Sequence, residues 1–150
     1  LVLFRSQHVT HIVCPHCDAV NRIPADKPAK EAKCGRCHRA LFDGHPAEVI
    51  GERLEKHIKS NEIPVVVDFW APWCGPCRMM APAYERTAGQ LEPNARLLKL
   101  NTENDPGAAE RYDIRSIPTL IMFRKGQIVD RVSGAMDERR LQQWIVSHAH

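Results

Sequence analysis

Segments with the hydrophobic spacing of a helix alternate with short apolar runs along residues 50–148. Apolar side chains fall on one face of a helix in residues 50–58, 74–91, 106–112 and 141–148. Short apolar runs predict strands in residues 63–70, 96–101, 119–123 and 127–133. Lys125 and Gly126 separate the last two strands and predict the turn of a hairpin. This order predicts an α/β domain with a mixed central β-sheet flanked by helices.

The segment before this domain has a different character. Residues 9–42 contain few large apolar side chains and are interrupted by proline and glycine, which predicts a loop-like segment that cannot build its own core. Turn-forming residues follow at 43–46. We therefore expect an extension without assigned function at residues 1–8, a small module at 9–43, a linker at 44–47 and the main domain at 48–150.

Composition and charge exclude several classes of function. A chain of 150 residues with 43% hydrophobic residues can build one sizeable core and a small appendage. The net charge of +3 is spread without a polybasic block, and Phe42 is the one aromatic residue of segment 9–42, which argues against a nucleic-acid partner. No apolar run approaches the roughly 18 residues of a membrane span, and no secretory signal is evident. We expect a cytoplasmic protein without a membrane partner.

The six cysteines form three C-x-x-C pairs, a pattern that favours metal binding or redox chemistry in a reducing compartment. Two pairs, separated by residues 18–33, have the spacing of a four-cysteine zinc site. Four thiolates complete the tetrahedral coordination of one structural Zn²⁺, so no histidine is needed as a ligand. The predicted ligands are Cys14, Cys17, Cys34 and Cys37. Structural disulfides or a second redox pair remain the alternatives.

The third pair, Cys74 and Cys77, lies where a predicted strand meets a predicted helix. The positive end of a helix dipole and its unpaired N–H groups favour a thiolate, so we expect the sulfur of Cys74 to be exposed, ionised and nucleophilic. This thiolate would attack a substrate disulfide and form a mixed disulfide with the substrate. Cys77, three residues later on the same face, would resolve that mixed disulfide by attacking Cys74. Pro76 suits the first helical turn, and Gly75 allows a partner backbone to approach.

Asp68 is a carboxylate inside a strand that is predicted to be buried on both faces. Burial disfavours its charged form and raises its pKa, which suits an acceptor for the proton that Cys77 must lose. The alternative is an edge strand with Asp68 in solvent.

These residues carry a resemblance to a known family. The run from Trp73 to Cys77, preceded by Val-Asp-Phe-Trp, resembles the active site of thioredoxins. Residues 116–119 (Ser-Ile-Pro-Thr) resemble the cis-proline loop of that family, and Lys99 its strand lysine near the buried acid. The resemblance covers about residues 48–147. With the four-cysteine, zinc-ribbon-like module, the chain resembles the zinc-containing thioredoxin 2 subgroup.

The resemblance implies a thioredoxin fold and a thiol-disulfide oxidoreductase that reduces protein disulfides without a bound catalytic cofactor. It implies a cis bond between Ile117 and Pro118 and a modulating role for Lys99. The implied partners are oxidised client proteins and a separate flavin- and NADPH-dependent thioredoxin reductase. The implied substrate-binding surface consists of Trp73, Gly75, Pro76, Ile117, Pro118, Gly134 and Ala135.

Two other functions stay open from the sequence. One is an oxidase or isomerase of the same fold, which would drive disulfide formation. The other is a zinc-dependent, redox-responsive binding or chaperone module, in which the thiols of Cys74 and Cys77 only respond to oxidants.

Overall fold

The computed structural model describes residues 8–149. Residues 1–7, most of the extension to which no function was assigned, lie outside this range. The elements, in chain order, are β1 (Val9–Val13), β2 (Val20–Pro24), β3 (Ala47–Glu48), α1 (Gly51–Ser60), β4 (Val65–Trp70), α2 (Gly75–Leu91), β5 (Arg96–Asn101), α3 (Pro106–Arg111), β6 (Thr119–Arg124), β7 (Gln127–Ser133) and α4 (Glu138–His148).

A five-stranded sheet of order β3-β5-β4-β6-β7 forms the centre of the larger domain. β3, β5 and β4 are parallel, whereas β6 and β7 are antiparallel to their neighbours. The predicted mixed sheet and late hairpin are confirmed. The two-residue strand β3 was not predicted, because so short a segment carries no hydrophobic period.

Two apolar layers cover the two faces of this sheet. On one face, residues of α2 and α4 such as Tyr84 and Leu141 pack against Val66 and Leu120. On the other face, residues of α1 such as Leu54 pack with residues of β4, β5 and β6. β4 is central and buried on both faces, so a polar residue within it, such as Asp68, has little access to water.

The N-terminal module is more regular than the sequence indicated. Residues 9–42 were expected to be loop-like, but β1 and β2 pair in antiparallel register from Val9 opposite Pro24 to Val13 opposite Val20. The β-branched residues in β1 explain the strand, and this signal was available in the sequence. A small core holds the hairpin against the rest of the module, consisting of Ile12, Cys14, Ile23, Cys34, Leu41 and Phe42.

A buried arginine joins the module to the larger domain. Arg96, at the start of β5, is 1% exposed and forms an ion pair of 3.1 Å with Glu92. Its guanidinium also donates to the carbonyl oxygens of Val13 and Leu41 at 3.3 and 2.8 Å, and it lies 4.5 Å from the centre of the Phe42 ring. These two carbonyls belong to the module, so Arg96 fixes the position of the module on the sheet.

A second set of polar contacts joins the module to α1. Asp18 accepts a hydrogen bond of 2.7 Å from Arg53 and lies 3.1 Å from the ring of His57. The backbone N–H of Val13 donates to the side chain of Asn61 at 2.8 Å. His57 is fully buried, and its hydrogen-bond partner Asp18 comes from the module.

We expect Arg96→Ala to lower the free energy of unfolding by about 3–5 kcal/mol, because the carboxylate of Glu92 stays buried without its partner. Burial already raises the pKa of Glu92 and lowers that of Arg96, so neither charge is well solvated in the folded protein. Urea denaturation followed by circular dichroism measures the change.

The control for this prediction is Arg86→Ala. Arg86 pairs with Glu138 at the surface, and its side chain is 60% exposed, so its loss should cost about 0–1 kcal/mol. Equal, small losses in both variants would show that the Arg96 contacts do not hold the module in place.

Candidate active site and metal centre

The two cysteines of the third pair lie at the carboxyl end of β4, where α2 begins. Cys74 is the N-cap residue of α2, and its sulfur accepts a hydrogen bond of 3.2 Å from the backbone N–H of Cys77. The two residues form a disulfide with a Cα–Cα distance of 5.3 Å. Pro76 lies in the first turn, where its missing N–H costs no hydrogen bond. The predicted strand-to-helix position of the pair is confirmed.

The expected exposure of the Cys74 sulfur is wrong for this oxidised state. Cys74 is 4% exposed and Cys77 is 2% exposed. The pair packs against Ala71, Trp70 and Ile117, and the Cys74 sulfur lies 3.7 Å from the carbonyl oxygen of Ile117. No local pattern indicates how closely residues 116–119 approach the start of α2, so the burial of the Cys74 sulfur could not be predicted.

The loop that covers the disulfide contains the expected cis bond. The peptide bond between Ile117 and Pro118 is cis, which confirms what the family resemblance implied. The N–H of Gly134 donates to the carbonyl oxygen of Pro118 at 2.8 Å, so the loop after β7 is held beside the cis-proline loop. The two loops and the start of α2 therefore form one surface around Cys74.

Most of the residues predicted to bind substrate are accessible on this surface. Trp73 is 65% exposed, and Gly75 and Ile117 are partly exposed, whereas Pro118 is buried. Pro76, Gly134 and Ala135 are also exposed. Met79, which the sequence analysis did not single out, is 80% exposed one helical turn after Gly75 and adds apolar area beside α2. The helical spacing that marks the buried face also marks Met79 as outward-facing.

Asp68 lies inside the sheet rather than at its edge, as expected. It is 1% exposed, and this burial is the main cause that raises its pKa to about 7. The charge of Lys99 lowers the pKa of Asp68, and the charge of Glu48 raises it further. Its Oδ1 atom makes no hydrogen bond within the described residues. Lys99 is partly buried opposite Asp68 on β5, with its Nζ 4.4 Å from the centre of the Trp70 ring. A carboxyl group of this pKa exchanges its proton near neutral pH.

The other four cysteines meet at one point of the module. Their sulfur atoms all lie within 4.8 Å of one another, with 3.7 Å between Cys14 and Cys37 and 3.6 Å between Cys17 and Cys34. Tetrahedral coordination at a Zn–S distance of about 2.3 Å places sulfur atoms roughly 3.8 Å apart. The four sulfurs therefore fit one zinc ion.

The surroundings of Cys34 favour a thiolate. Its sulfur accepts hydrogen bonds from the backbone N–H of Arg36 at 3.3 Å and from the side chain of Asn21 at 3.4 Å. Burial opposes ionisation, but these donors and the N–H of Cys37 lower the pKa of Cys34 below its ordinary value. Burial raises the pKa of Cys14, so the cluster holds its full negative charge only with a cation to balance it. Asn21 was missed because it lies outside both C-x-x-C pairs.

Comparison with protein families assigns both parts of the chain. The model of the family described as Thioredoxin matches residues 46–147, and the model described as Thioredoxin 2, N-terminal matches residues 13–39. The chain belongs to the thioredoxin family. The N-terminal module is a zinc ribbon of the thioredoxin 2 type, and the five-stranded sheet with its helices is a thioredoxin fold.

Individual relatives agree with this assignment. Thioredoxin C-3 of Corynebacterium nephridii is 42% identical over 134 residues, which are 89% of this chain and 92% of that protein. Thioredoxin 1 of Nostoc sp. is 45% identical over 102 residues, 68% of this chain and 95% of that protein. A solved structure of a mutant thioredoxin from Halobacterium salinarum NRC-1 superposes with a TM-score of 0.65 at 33% identity, covering 71% of this chain and 93% of that chain.

The likeness to thioredoxins supports a thiol-disulfide oxidoreductase that acts as a disulfide reductase. Cys74 and Cys77 form its redox-active disulfide. The relatives carry the name thioredoxin, which favours reduction over the oxidase or isomerase alternative. Within residues 8–149, no helix has both the length and the apolar character needed to cross a membrane.

Proposed function

We propose that this thioredoxin reduces protein disulfides through attack by the Cys74 thiolate and resolution by Cys77. The observation that carries the proposal is the Cys74–Cys77 pair at the start of α2, with the sulfur of Cys74 beside the cis-proline loop. In the reduced protein, the N–H of Cys77 and the positive end of α2 would stabilise the Cys74 thiolate, because both favour a negative charge at the N-cap.

Two exchange steps move two electrons from the protein to the client. The Cys74 thiolate attacks one sulfur of the client disulfide and forms a mixed disulfide with it. The client S–S bond breaks, and the other client sulfur leaves as a thiolate. Cys77 then loses its proton and attacks the Cys74 sulfur. The mixed disulfide breaks, the second client sulfur leaves, and the Cys74–Cys77 bond forms. The client is reduced and the protein is oxidised.

The cis-proline loop would position the client for the first step. The client strand would pair with the backbone of Ile117 and lie across Trp73, Gly134 and Ala135, since extended peptides bind exposed backbone groups in this way. Gly75 and Pro76 leave room for the client backbone at the start of α2. This contact would bring the client sulfur to Cys74, which faces the Ile117 carbonyl.

Asp68 would accept the proton of Cys77 during resolution, directly or through a water molecule. It must be ionised to do so, and its pKa of about 7 means that its ionised fraction rises between about pH 6 and 8. We expect the resolution rate to rise through this range in the wild type. Asp68→Asn should be slower, by about 10²-fold at pH 8, and should lack this rise. Stopped-flow decay of the mixed disulfide against pH measures both effects.

The shape of the pH profile shows whether Asp68 itself accepts the proton of Cys77. A variant that is slower at every pH but keeps the rise near pH 7 would show that another group accepts the proton. Lys99 would act only as a modulator, because its charge favours the ionised form of Asp68.

We also propose that Cys14, Cys17, Cys34 and Cys37 hold one structural Zn²⁺. Zinc would cross-link the two short loops and supply binding free energy to a module whose own core is small. Four thiolates leave no open coordination position, so the ion takes no part in the exchange reaction. The domain division that goes with this proposal is a module at 9–43, a linker at 44–47 and a catalytic domain at 48–150.

The partners follow from the family. A flavin- and NADPH-dependent thioredoxin reductase would return the Cys74–Cys77 disulfide to the dithiol form, and oxidised proteins would be the clients. A cluster of four thiolates persists only where cysteines stay reduced, which supports a cytoplasmic location.

The experiment that tests the reductase proposal is the reduction of a model protein disulfide by the wild type and by Cys74→Ser. The proposal requires that the reduction depends on the sulfur of Cys74. Equal rates for the two proteins would leave a binding or chaperone role as the better account.

A further inference from the structure

Three charged residues form a row across three neighbouring strands of the sheet. Lys99 on β5 lies in register with Glu48 on β3 on one side and with Asp68 on β4 on the other. In-register residues of neighbouring strands point to the same face of a sheet. The residues next to them in sequence, Ala47 and Leu98, pack into the layer on the opposite face. The three charged side chains therefore point to the face that α2 and α4 cover.

This row places one cation between two carboxyl groups. Lys99 is partly buried with its Nζ over the Trp70 ring, and it forms no ion pair within 4.0 Å among the described residues. Its charge is thus available to both Asp68 and Glu48. An ionised Glu48 makes it harder to ionise Asp68, because it offsets the charge of Lys99 and adds a like charge on the same face.

We propose that Glu48 is a positioning residue for the proton transfer. Its negative charge offsets the positive charge of Lys99 and so favours the protonated form of Asp68. The inference rests on the proposed role of Asp68 and extends it to a residue of β3.

The other groups of the sheet and of α2 around Asp68 do not explain why its protonated form is favoured. Tyr84 of α2 faces the same layer, but its hydroxyl donates toward the carbonyl oxygens of Leu98 and Val66, and burial raises its pKa, so it stays neutral. On β6, the residue opposite Asp68 is the apolar Leu120. The sulfurs of Cys74 and Cys77 lie at the end of β4, packed with Trp70, and change charge during the reaction itself. Lys99 acts in the opposite direction to Glu48.

The size of the effect follows from the strand spacing. Two strand spacings place Glu48 about 10 Å from Asp68, where a unit charge shifts a pKa by about 0.3 to 1 unit, depending on the effective dielectric constant. Glu48 lies at the sheet edge, where burial raises the pKa of its carboxyl group and the charge of Lys99 opposes this rise. Part of its side chain is still exposed, so salt screens its charge and the lower part of this range applies at physiological ionic strength.

The test is Glu48→Gln in the full chain, with two readouts. One is the titration of the Asp68 carboxyl carbon by NMR in the oxidised protein, in which the disulfide of Cys74 and Cys77 does not titrate, and the other is the pH profile of mixed-disulfide resolution. We expect both midpoints to fall by about 0.3 to 1 pH unit, and the shift to shrink at high salt. Glu52→Gln, which removes an exposed carboxylate from the first turn of α1, is the matched control and should move neither midpoint.

The outcomes distinguish this inference from the proposed function. A midpoint that stays in place or rises in Glu48→Gln, with Lys99→Met raising it as expected, overturns the role of Glu48. An NMR midpoint that falls while the resolution profile does not respond supports the electrostatic coupling but shows that Asp68 is not the proton acceptor. Falling midpoints in both readouts support both claims.

Discussion

Cys74→Ser should lose the ability to reduce a protein disulfide by at least about 10³-fold, because a neutral hydroxyl cannot replace a thiolate in disulfide exchange. In the wild type the attacking sulfur lies at the N-cap of α2, where the N–H of Cys77 points at it. A serine at this position could keep the helix cap, because hydroxyl groups cap helices well. The loss would then report on chemistry rather than on folding.

The fold of this variant can be checked without the reaction. Its zinc content and its urea midpoint should be close to those of the reduced wild type, which also lacks the Cys74–Cys77 disulfide, since neither the module nor the Arg96 contacts involve Cys74. A variant that retains a tenth or more of the wild-type rate with intact fold would mean that another thiol attacks the client.

Removal of zinc should have the second large effect, on the N-terminal module. Structural zinc supplies an apparent binding free energy of about 10–16 kcal/mol in small zinc peptides at neutral pH, and the apolar core of this module is small. We expect one zinc per chain, and loss of hydrogen-exchange protection in β1 and β2 when a chelator removes it. Metal analysis and hydrogen exchange by mass spectrometry measure these two quantities.

The matched pair for the zinc prediction is Cys34→Ser and Cys74→Ser. The first removes a sulfur that lies 3.6 Å from that of Cys17 and should bind zinc at least about 10-fold more weakly, whereas the second should keep the full zinc content. Protection of β1 and β2 that survives complete removal of the metal would show that the hairpin core and the Arg96 contacts are sufficient by themselves.

The parts of the site that were predicted correctly depend on local spacing. Two cysteines three residues apart, after an apolar β-branched run, identify a strand-to-helix junction, and two C-x-x-C pairs at the right separation identify a four-cysteine cluster. The burial of Asp68 followed from its place in an apolar run. Each of these signals lies within a few residues of the group that it describes.

The parts that were missed depend on contacts between distant segments. Arg96 joins carbonyl groups of the module to the sheet, and nothing around it in the sequence marks those partners. Glu48 gains its place beside Lys99 from a strand of two residues, too short to show a period. Cys74 is buried in part by Ile117, and only the family resemblance indicated that these two residues lie close together. The hairpin of β1 and β2 is the exception, because its β-branched residues were visible.

The measurement that tests the reductase mechanism most directly is mass spectrometry of the covalent complex formed by Cys77→Ser. This variant can attack a client disulfide but cannot resolve the product, so the client should remain attached. The account predicts that peptide mapping finds the client joined to the sulfur of Cys74. A complex joined to any of the four zinc-ribbon cysteines, or no complex at all with a folded protein, would contradict it.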